Sequence, residues 1–336
     1  MAYDRSMFAT LAGGYPGTDP GRRADRSLNA LVREILAEQV DAGLTLLTDG
    51  SLRWPDPIEA IGRALLGSDP GAPRRDRPLT VEAWTFAADA AAGVPVKQGL
   101  PGPYSLGRRF AQREAARADL TLTLAEALAG ELVDLAGAGC PYIQVDEDGA
   151  ATIGTDPVER ALFRDAQARL LAGLARPGAR PHLSLAIGGG NADAAGPETV
   201  FSVPYDSHFF DLIAGPDNWR LVTAAPAERG IVLGVADARS AEPDERELIV
   251  WAVAYAAASQ GRGEVRIGIA PSGSLAGLPR AAARAKIERL GEVVRLIERR
   301  AEEPIAASLD PRAVHARSAA LGRWRPRRPS APGGGA

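Results

Sequence analysis

Short apolar runs alternate with longer amphipathic segments along most of the chain. Residues 27–42 carry apolar side chains at three- and four-residue spacing, which predicts a helix that Gly43 ends. The next run, LTLLTDGS, is short and apolar until Asp49 and Gly50, as is typical of a buried strand that ends in a loop. The same order of helix, strand and polar strand end recurs further along the chain.

The later segments repeat this unit. Helices are predicted over residues 111–138, 158–175, 245–259 and 278–301, and strands over YIQVDED, PHLSLAIG, IVLGVADARS and VRIGIAPSGS. Short apolar strands that alternate with longer helices indicate parallel βαβ units of the α/β class. No GxGxxG sequence follows the first strand, so the pattern favours a single (β/α)8 TIM barrel over a doubly wound sheet. We expect this domain to occupy residues 1–322, and residues 323–336, rich in Pro, Gly and Arg, to form a disordered tail.

Composition and charge narrow the range of partners. The 336 residues include 39 basic and 42 acidic side chains, which gives a formal net charge of −3. This balance provides no general positive field for nucleic acid, and no apolar run approaches the roughly 20 residues of a membrane helix. We therefore expect a small-molecule substrate and no nucleic-acid or membrane partner. Because no secretory signal is visible, we also expect a cytoplasmic protein. The only cysteine, Cys140, leaves no set of thiolates for a structural zinc site.

Polar residues follow most of the predicted strands. In a parallel barrel the carboxyl ends of the strands meet at one face, so these residues form the candidate site. They are Asp49, Ser51, Asp146, Glu147, His182, Ser184, Asp211, Asp237, Arg239, Ser272 and Ser274. Paired acids there could bind an amine, hold a cation or act as a general base. A single Asp in such a place is more often a helix cap or a solvated strand end, so the prediction depends on the convergence of several.

The histidines are further candidates because imidazole can exchange a proton near neutral pH. We favour a site role for His182, which we place at a strand end. His208, in the segment YDSHFFDL, is balanced between a site residue and a core residue.

Five segments together resemble the cobalamin-independent methionine synthases, specifically their C-terminal catalytic barrel within the uroporphyrinogen decarboxylase-like superfamily. The segments are LLTDGSLRWPDPIEAI, VKQGLPGPYSLGRRF, LAGAGCPYIQVDEDGA, LGVADARSAEP and IAPSGSLAGLPRAAARAKI, and they occur in the family's order. The resemblance implies one catalytic barrel over residues 1–322, without the family's duplicated N-terminal half. It also implies that the N-terminal segment, to about Gly17, lies across the mouth of the barrel.

The resemblance also locates the family's zinc ligands, which are a His-x-Cys pair, a Glu and a Cys in an Asn-Pro-Asp-Cys-Gly segment. Our alignment places the pair on His182 and Ser184, the Glu on Asp211, and the last segment on residues 270–273, APSG. Neither sulfur ligand is present in this alignment, and Ser binds zinc poorly near neutral pH. We therefore expect no zinc and no other cofactor. A weakly bound metal on His182 and Asp211 is the alternative.

Substrate positions of the family differ as well. Gly14 and Ser51 stand where the family binds homocysteine through Ser and Glu, while Asp146 matches its amine-binding Asp. Arg109 replaces the aromatic side chain that stacks on folate, and Tyr104 lies in the same segment, VKQGLPGPYSLGRRF. The resemblance therefore implies a substrate other than homocysteine.

Three functions remain open from the sequence. The first is transfer of a methyl, alkyl or other one-carbon group, with Asp146, His182 and Asp211 as catalytic acids and bases. In that case Arg53, Arg109 or Arg239 would pair with a carboxylate or phosphate of the substrate. The second is a metal-free lyase or decarboxylase that uses acid and arginine residues of the same barrel. The third is a binding protein that retains the pocket without catalysis.

Overall fold

Seven parallel strands form one curled sheet. The computed structural model describes residues 7–17, 27–67, 72–174 and 180–300, so the predicted tail at 323–336 lies outside the described residues. The strands are β1 (Phe8–Ala9), β2 (Gln98–Pro101), β3 (Tyr142–Asp146), β4 (His182–Ile187), β5 (Ser207–Asp211), β6 (Gly230–Ala236) and β7 (Ile267–Pro271). They are hydrogen-bonded in the order β1-β7-β6-β5-β4-β3-β2, and every pairing is parallel.

The run LTLLTDGS connects the two edges of this sheet. Leu46 forms a parallel bridge with Thr10, next to β1, and Leu47 forms one with Val96, next to β2. The Leu47 amide donates to the Pro95 carbonyl at 2.9 Å, and the Lys97 amide donates to the Leu47 carbonyl at 2.9 Å. The predicted strand therefore appears as two single bridges, and the sheet curls until both of its edges contact this run.

Ten α-helices, counted within the described residues, accompany the strands. They are α1 (Leu28–Ala42), α2 (Pro57–Leu66), α3 (Val81–Ala90), α4 (Pro103–Phe110), α5 (Glu114–Gly137), α6 (Pro157–Leu171), α7 (Pro197–Val200), α8 (Trp219–Ala224), α9 (Arg246–Ala258) and α10 (Arg280–Arg300). Local signals set their ends: Ser27 caps α1 by accepting from the Ala30 amide, and Gly43 ends it at φ 90°. Within the described ranges no helix is long and apolar enough to cross a membrane.

The core consists of an inner and an outer layer, because successive strand residues point to opposite faces. The inner cluster lies inside the curl and contains Phe8, Leu46, Tyr142, Ala186, Phe209, Val232 and Ala270. The much larger outer cluster packs the opposite faces of the strands against the helices. A polar residue on a strand therefore faces the interior of the curl only if its position differs by an even number of residues, for example two or four, from that of an inner residue on the same strand.

His208 belongs to the outer layer, between the inner-facing residues Ser207 and Phe209. It is fully buried, its ring packs against Phe201, Tyr205 and Phe210, and neither ring nitrogen makes a hydrogen bond of good geometry to another described residue. Burial, helped by the cation of Arg229, lowers the pKa of His208 to about 3. Of the two roles left open by the sequence, the structure places this residue in the core.

The buried imidazole predicts a pH-dependent stability. Because the pKa of His208 is lowered in the folded state, the unfolded chain binds the extra proton as pH falls below about 6.5. We expect this group alone to reduce the free energy of unfolding by about 2 kcal/mol between pH 7 and pH 5. Urea unfolding at both pH values should show that dependence in the parent and a smaller one in His208→Leu. Equal pH dependence in the two proteins would contradict the assignment.

Candidate functional site

A cavity of about 1020 Å³ opens at the carboxyl ends of the strands. Its lining includes seven of the residues predicted from the sequence: Gly14, Ser51, Asp146, Asp211, Arg239, Ser272 and Ser274. The volume is at the upper end of the range typical of small-molecule sites. The convergence of strand ends that the sequence indicated therefore occurs, although for a smaller set of residues.

The N-terminal segment forms part of the cavity wall. The Tyr15 amide donates to the Gly50 carbonyl at 2.9 Å, and the Gly14 carbonyl accepts from the Leu275 amide at 2.8 Å. Space at this contact is tight, since a Cβ on Gly14 would come within 2.9 Å of Ser274 Oγ. As the resemblance implied, the described part of this segment lies across the mouth.

Asp146 is the last residue of β3 and faces the cavity. Its Oδ1 accepts a hydrogen bond from Gln144 Nε2 at 2.6 Å, and Lys97 Nζ donates to Gln144 Oε1 at 2.6 Å. Burial raises the pKa of Asp146 and lowers that of Lys97, while their mutual attraction opposes both shifts. The pair therefore brings an acid and a base that both titrate closer to neutral pH than usual.

Two further carboxylates share the cavity with Asp146. Asp148 accepts from the Gly188 amide at 3.1 Å, and Asp211 accepts from the Ile213 and Ala214 amides at 2.9 and 2.8 Å. Burial raises the pKa of Asp148, and the charge of Asp211 raises it further. Asp56 also lines the cavity, whereas Arg239 is the only cation among the described lining residues. The cavity therefore has a negative charge that favours a cationic or hydrogen-bond-donating ligand.

Serine and arginine residues occupy the opposite rim, after β6 and β7. Ser272 is buried, and its Oγ accepts from the Ala238 amide at 3.0 Å. Asp237 does not line the cavity; its Oδ1 accepts from the Arg239 amide at 2.9 Å and shapes the loop that carries Arg239. The sequence predicted Asp237 as a substrate contact, whereas in the structure it positions the loop that carries Arg239.

The prediction that His182 lies at the cavity is wrong. His182 is the first residue of β4, pairs with Tyr142 at the start of β3, stacks on the Tyr142 ring and contacts Ser207 Oγ at 2.8 Å. Asp146 pairs instead with Ala186, four residues further along, which at about 3.3 Å per residue corresponds to roughly 13 Å along the strand. The apolar run continues after His182, so the strand begins there and does not end there.

The strand register also argues against the alternative metal site on His182 and Asp211. Asp211 ends β5, whereas Ser207, which contacts His182, begins it. Imidazole and carboxylate are thus at opposite ends of the sheet and cannot share an ion. The described residues contain no group of three or more His, Cys, Asp or Glu side chains suited to hold a metal.

Glu147 is also misassigned, because it points away from the cavity. It is fully buried and accepts from the Tyr104 and Ser105 amides at 3.0 and 2.7 Å, from Ser105 Oγ at 2.6 Å and from Gln167 Nε2 at 2.5 Å. Burial raises the pKa of Glu147 to about 7, against the effect of these four donors. Its role is to satisfy the first amides of α4 and connect that helix to α6.

Four other predicted contacts lie outside the cavity. Tyr104 is buried between helices, with its hydroxyl donating to Glu159, and Ser184 is buried inside the sheet below the cavity. Arg53 packs on the Phe86 ring and donates to Asn29, and Arg109 is more than half exposed and pairs with Glu59 at 3.2 Å.

Several cavity residues were not predicted from the sequence. Asp148, Gln144 and Phe209 line the main cavity, and Lys97 lines a smaller chamber beside it together with Asp49. The sequence contained a signal for Asp148 and Gln144, since each lies two residues from Asp146 and so shares its face on an extended chain. Lys97 gave a weaker signal, as one of only two lysines in the sequence.

Comparison with known proteins places the chain among relatives of one enzyme. No family model matches it. It is 31% identical over 142 residues to the 5-methyltetrahydropteroyltriglutamate–homocysteine methyltransferase of Nitrosomonas europaea, a match that covers 36% of this chain and 19% of the relative. The corresponding protein of Nitratidesulfovibrio vulgaris is 31% identical over 177 residues, covering 42% of this chain and 22% of the relative. The chain is a homologue of the cobalamin-independent methionine synthases. The matched region spans about a fifth of the length of these curated relatives.

Solved structures of methionine synthases share the fold over a longer stretch. A B12-independent methionine synthase from Shewanella sp. W3-18-1, in complex with selenomethionine, has a TM-score of 0.74 at 15% identity, covering 89% of this chain and 100% of that one. A putative vitamin B12-independent methionine synthase from Listeria monocytogenes has a TM-score of 0.68 at 17% identity, covering 87% and 98%. A methyltransferase from Methanosarcina mazei has a TM-score of 0.60 at 11% identity, covering 87% and 94%. The family resemblance inferred from the sequence is thus confirmed.

Proposed function

We propose that the chain is an enzyme that transfers a methyl or other alkyl group between small molecules, with a substrate other than homocysteine. The observation that carries this proposal is the large cavity at the strand ends, in which Asp146, Asp148 and Asp211 converge. The names of its relatives, which are methyltransferases, support the reaction class. The negative lining supports a substrate with a cationic or hydroxyl group.

Asp146 is proposed to bind that polar group and to exchange a proton with it. Its raised pKa permits either protonation state near neutral pH, as acid and base catalysis requires. Gln144 fixes the carboxylate from one side at 2.6 Å. His182 has no part in this step, because it lies at the other end of β4.

The residues present do not fit a thiolate-bound zinc. Cys140, the only cysteine of the sequence, is buried before the start of β3, where burial raises the pKa of its thiol to about 12. At the cavity, Ala186 lies near the end of β4, Gly188 follows that strand, and Ser272 and Gly273 follow β7; none of these residues offers sulfur or imidazole. We therefore derive the chemistry from the carboxylates alone.

We further propose that the sheet is a complete (β/α)8 barrel, with the run around Leu46 and Leu47 as the eighth strand. The bridges of this run to both edges support closure. A crystal structure should show the run hydrogen-bonded to both edge strands. A gap on either side would reject a closed barrel.

Identification of the bound small molecule tests the proposed function. Protein purified under native conditions should release a ligand that mass spectrometry can identify, and Gly273→Trp should not. Gly273 lines the cavity, and a Cβ there meets only Ala238 Cβ at 3.9 Å among the described residues, so a larger side chain has room to occupy part of the ligand space.

Transfer itself can then be followed with the identified ligand. A ligand labelled in its methyl or alkyl group should pass the label to a second small molecule in the presence of the protein. Release of carbon dioxide or cleavage of the ligand would indicate a lyase instead. Recovery of the unchanged ligand under all conditions would identify a binding protein, and either result would overturn the proposal.

A further inference from the structure

A small chamber lies beside the main cavity, between the run that follows Leu47 and strands β2 and β3. Its volume is about 30 Å³, and its walls include Asp49, Lys97, Gln144 and Asp146. About 10–15 Å³ is enough to hold one water-sized group. Gly13, Ser51, Pro57, Gln144 and Asp146 line both spaces, so the chamber adjoins the site that would hold a ligand.

Asp49 brings an unused hydrogen-bond acceptor to this chamber. The residue is only 9% exposed, and its Oδ1 accepts from the Ser51 amide at 2.9 Å. Oδ2 is completely buried and has no partner among the described residues. Buried carboxylate oxygens are nearly always hydrogen-bonded, whereas this atom lacks a donor among those residues.

Lys97 brings donors to the same chamber. Its ammonium group has three N–H bonds, and the contact with Gln144 Oε1 at 2.6 Å uses one of them. No ion pair joins Lys97 to Asp49 directly within the described part of the chain. The chamber therefore presents an acceptor and a donor to whatever occupies it.

This combination selects the chemical class of the occupant. A carboxylate could accept from Lys97 but would meet the charge of Asp49. An ammonium group could donate to Asp49 but would meet the charge of Lys97. A hydroxyl group is neutral, donates one hydrogen bond and accepts others, and so satisfies both walls.

We propose that the chamber is a subsite for a hydroxyl group of the cavity's ligand, which donates to Asp49 Oδ2 and accepts from Lys97 Nζ. The inference rests on the proposed function only in taking the main cavity as the ligand site. It adds that the substrate is hydroxyl-bearing. It also gives Lys97, which the sequence left without a role, a place in ligand binding.

Three amines of similar size test the subsite, because all are single cations suited to the acidic cavity. They are 3-aminopropan-1-ol, 3-methoxypropan-1-amine and butan-1-amine, whose far ends donate and accept, accept only, or do neither. Titration calorimetry or ligand-detected NMR should give the alcohol an affinity about ten-fold higher than the other two, since buried polar groups would remain unpaired with the analogues.

The matched variants are Asp49→Asn and Asp211→Asn. Asparagine at 49 turns the free acceptor into a donor, so the ether should then bind as well as the alcohol. Asp211 lines the main cavity but not the chamber, so Asp211→Asn should weaken all three amines and keep the preference for the alcohol.

A crystal structure of the parent protein with 3-aminopropan-1-ol provides a measurement that needs no variant. The hydroxyl oxygen should lie about 2.6–3.2 Å from both Asp49 Oδ2 and Lys97 Nζ. Equal affinity of alcohol and ether in the parent, an unchanged preference in Asp49→Asn, or no binding of any amine overturns the subsite. Each of these results leaves group transfer standing if a labelled ligand is still turned over.

Discussion

Replacing Glu147 with alanine should lower the free energy of unfolding by about 4 kcal/mol, because each buried donor left unpaired costs about 1–3 kcal/mol. The side chain accepts from two amides at the start of α4, from the Ser105 hydroxyl and from the Gln167 amide group, and all of these are removed from water. Gln167 in turn accepts from the Tyr205 hydroxyl at 2.6 Å, so the loss should spread into the packing around β5. Urea denaturation followed by circular dichroism gives the measurement.

The adjacent residue supplies the control. Within the described part of the chain Asp148 accepts from the Gly188 amide alone, and it faces the cavity, so Asp148→Ala should cost about 1 kcal/mol or less. Comparable losses in the two variants would show that Glu147 does not have the structural role assigned to it. The chemical similarity of the two acids makes the contrast a test of orientation alone.

This pair illustrates which parts of the site the sequence could predict. The acidic strand end after YIQV was visible, and so was its approach to other strand ends. The prediction placed Asp146 and Glu147 at the site alike, although alternation along an extended chain decides which acids face the cavity. Asp146 and Asp148 face the ligand space, and Glu147, between them, faces the helices.

The fold itself was more predictable than the site. Helix α1 was predicted within a residue of its start, and the alternation of strands and helices gave the correct class. The helix predicted over residues 111–138 is confirmed as α5, although it begins three residues later because residues 111–113 turn the chain between α4 and α5. Alanine-rich composition gave no indication of that turn, which depends on packing between the helices.

The error at His182 has a different origin. The resemblance to the methionine synthases suggested the position of a zinc-binding histidine, and the alignment assigned His182 to it. Strand β4 begins at His182 and is six residues long, so Ala186, near its far end, lines the cavity instead. A motif alignment at low identity locates a strand, but the register along that strand depends on pairing with its neighbours.

Asp146→Asn should reduce turnover of the identified substrate by about 100-fold to 10,000-fold while leaving the melting temperature close to that of the parent. Asparagine keeps an oxygen that can accept from Gln144, so the local packing survives. It cannot carry the proton, and it removes the negative charge that Lys97 faces inside the sheet. Turnover measured across pH should therefore lose the ionisation that the parent shows near neutrality.

His182→Ala is the matched comparison for that experiment, because both residues lie on neighbouring strands but at opposite ends. Loss of the stack on Tyr142 and of the contact with Ser207 should lower stability, while the rate constant at a temperature where the variant is folded should stay within about two-fold of the parent. If His182→Ala loses activity as Asp146→Asn does, the chemistry is not confined to the cavity. If Asp146→Asn turns over like the parent, acid and base chemistry at the end of β3 is rejected, and proton transfer would have to be assigned to Asp148 or Asp211, the other two acids of the cluster.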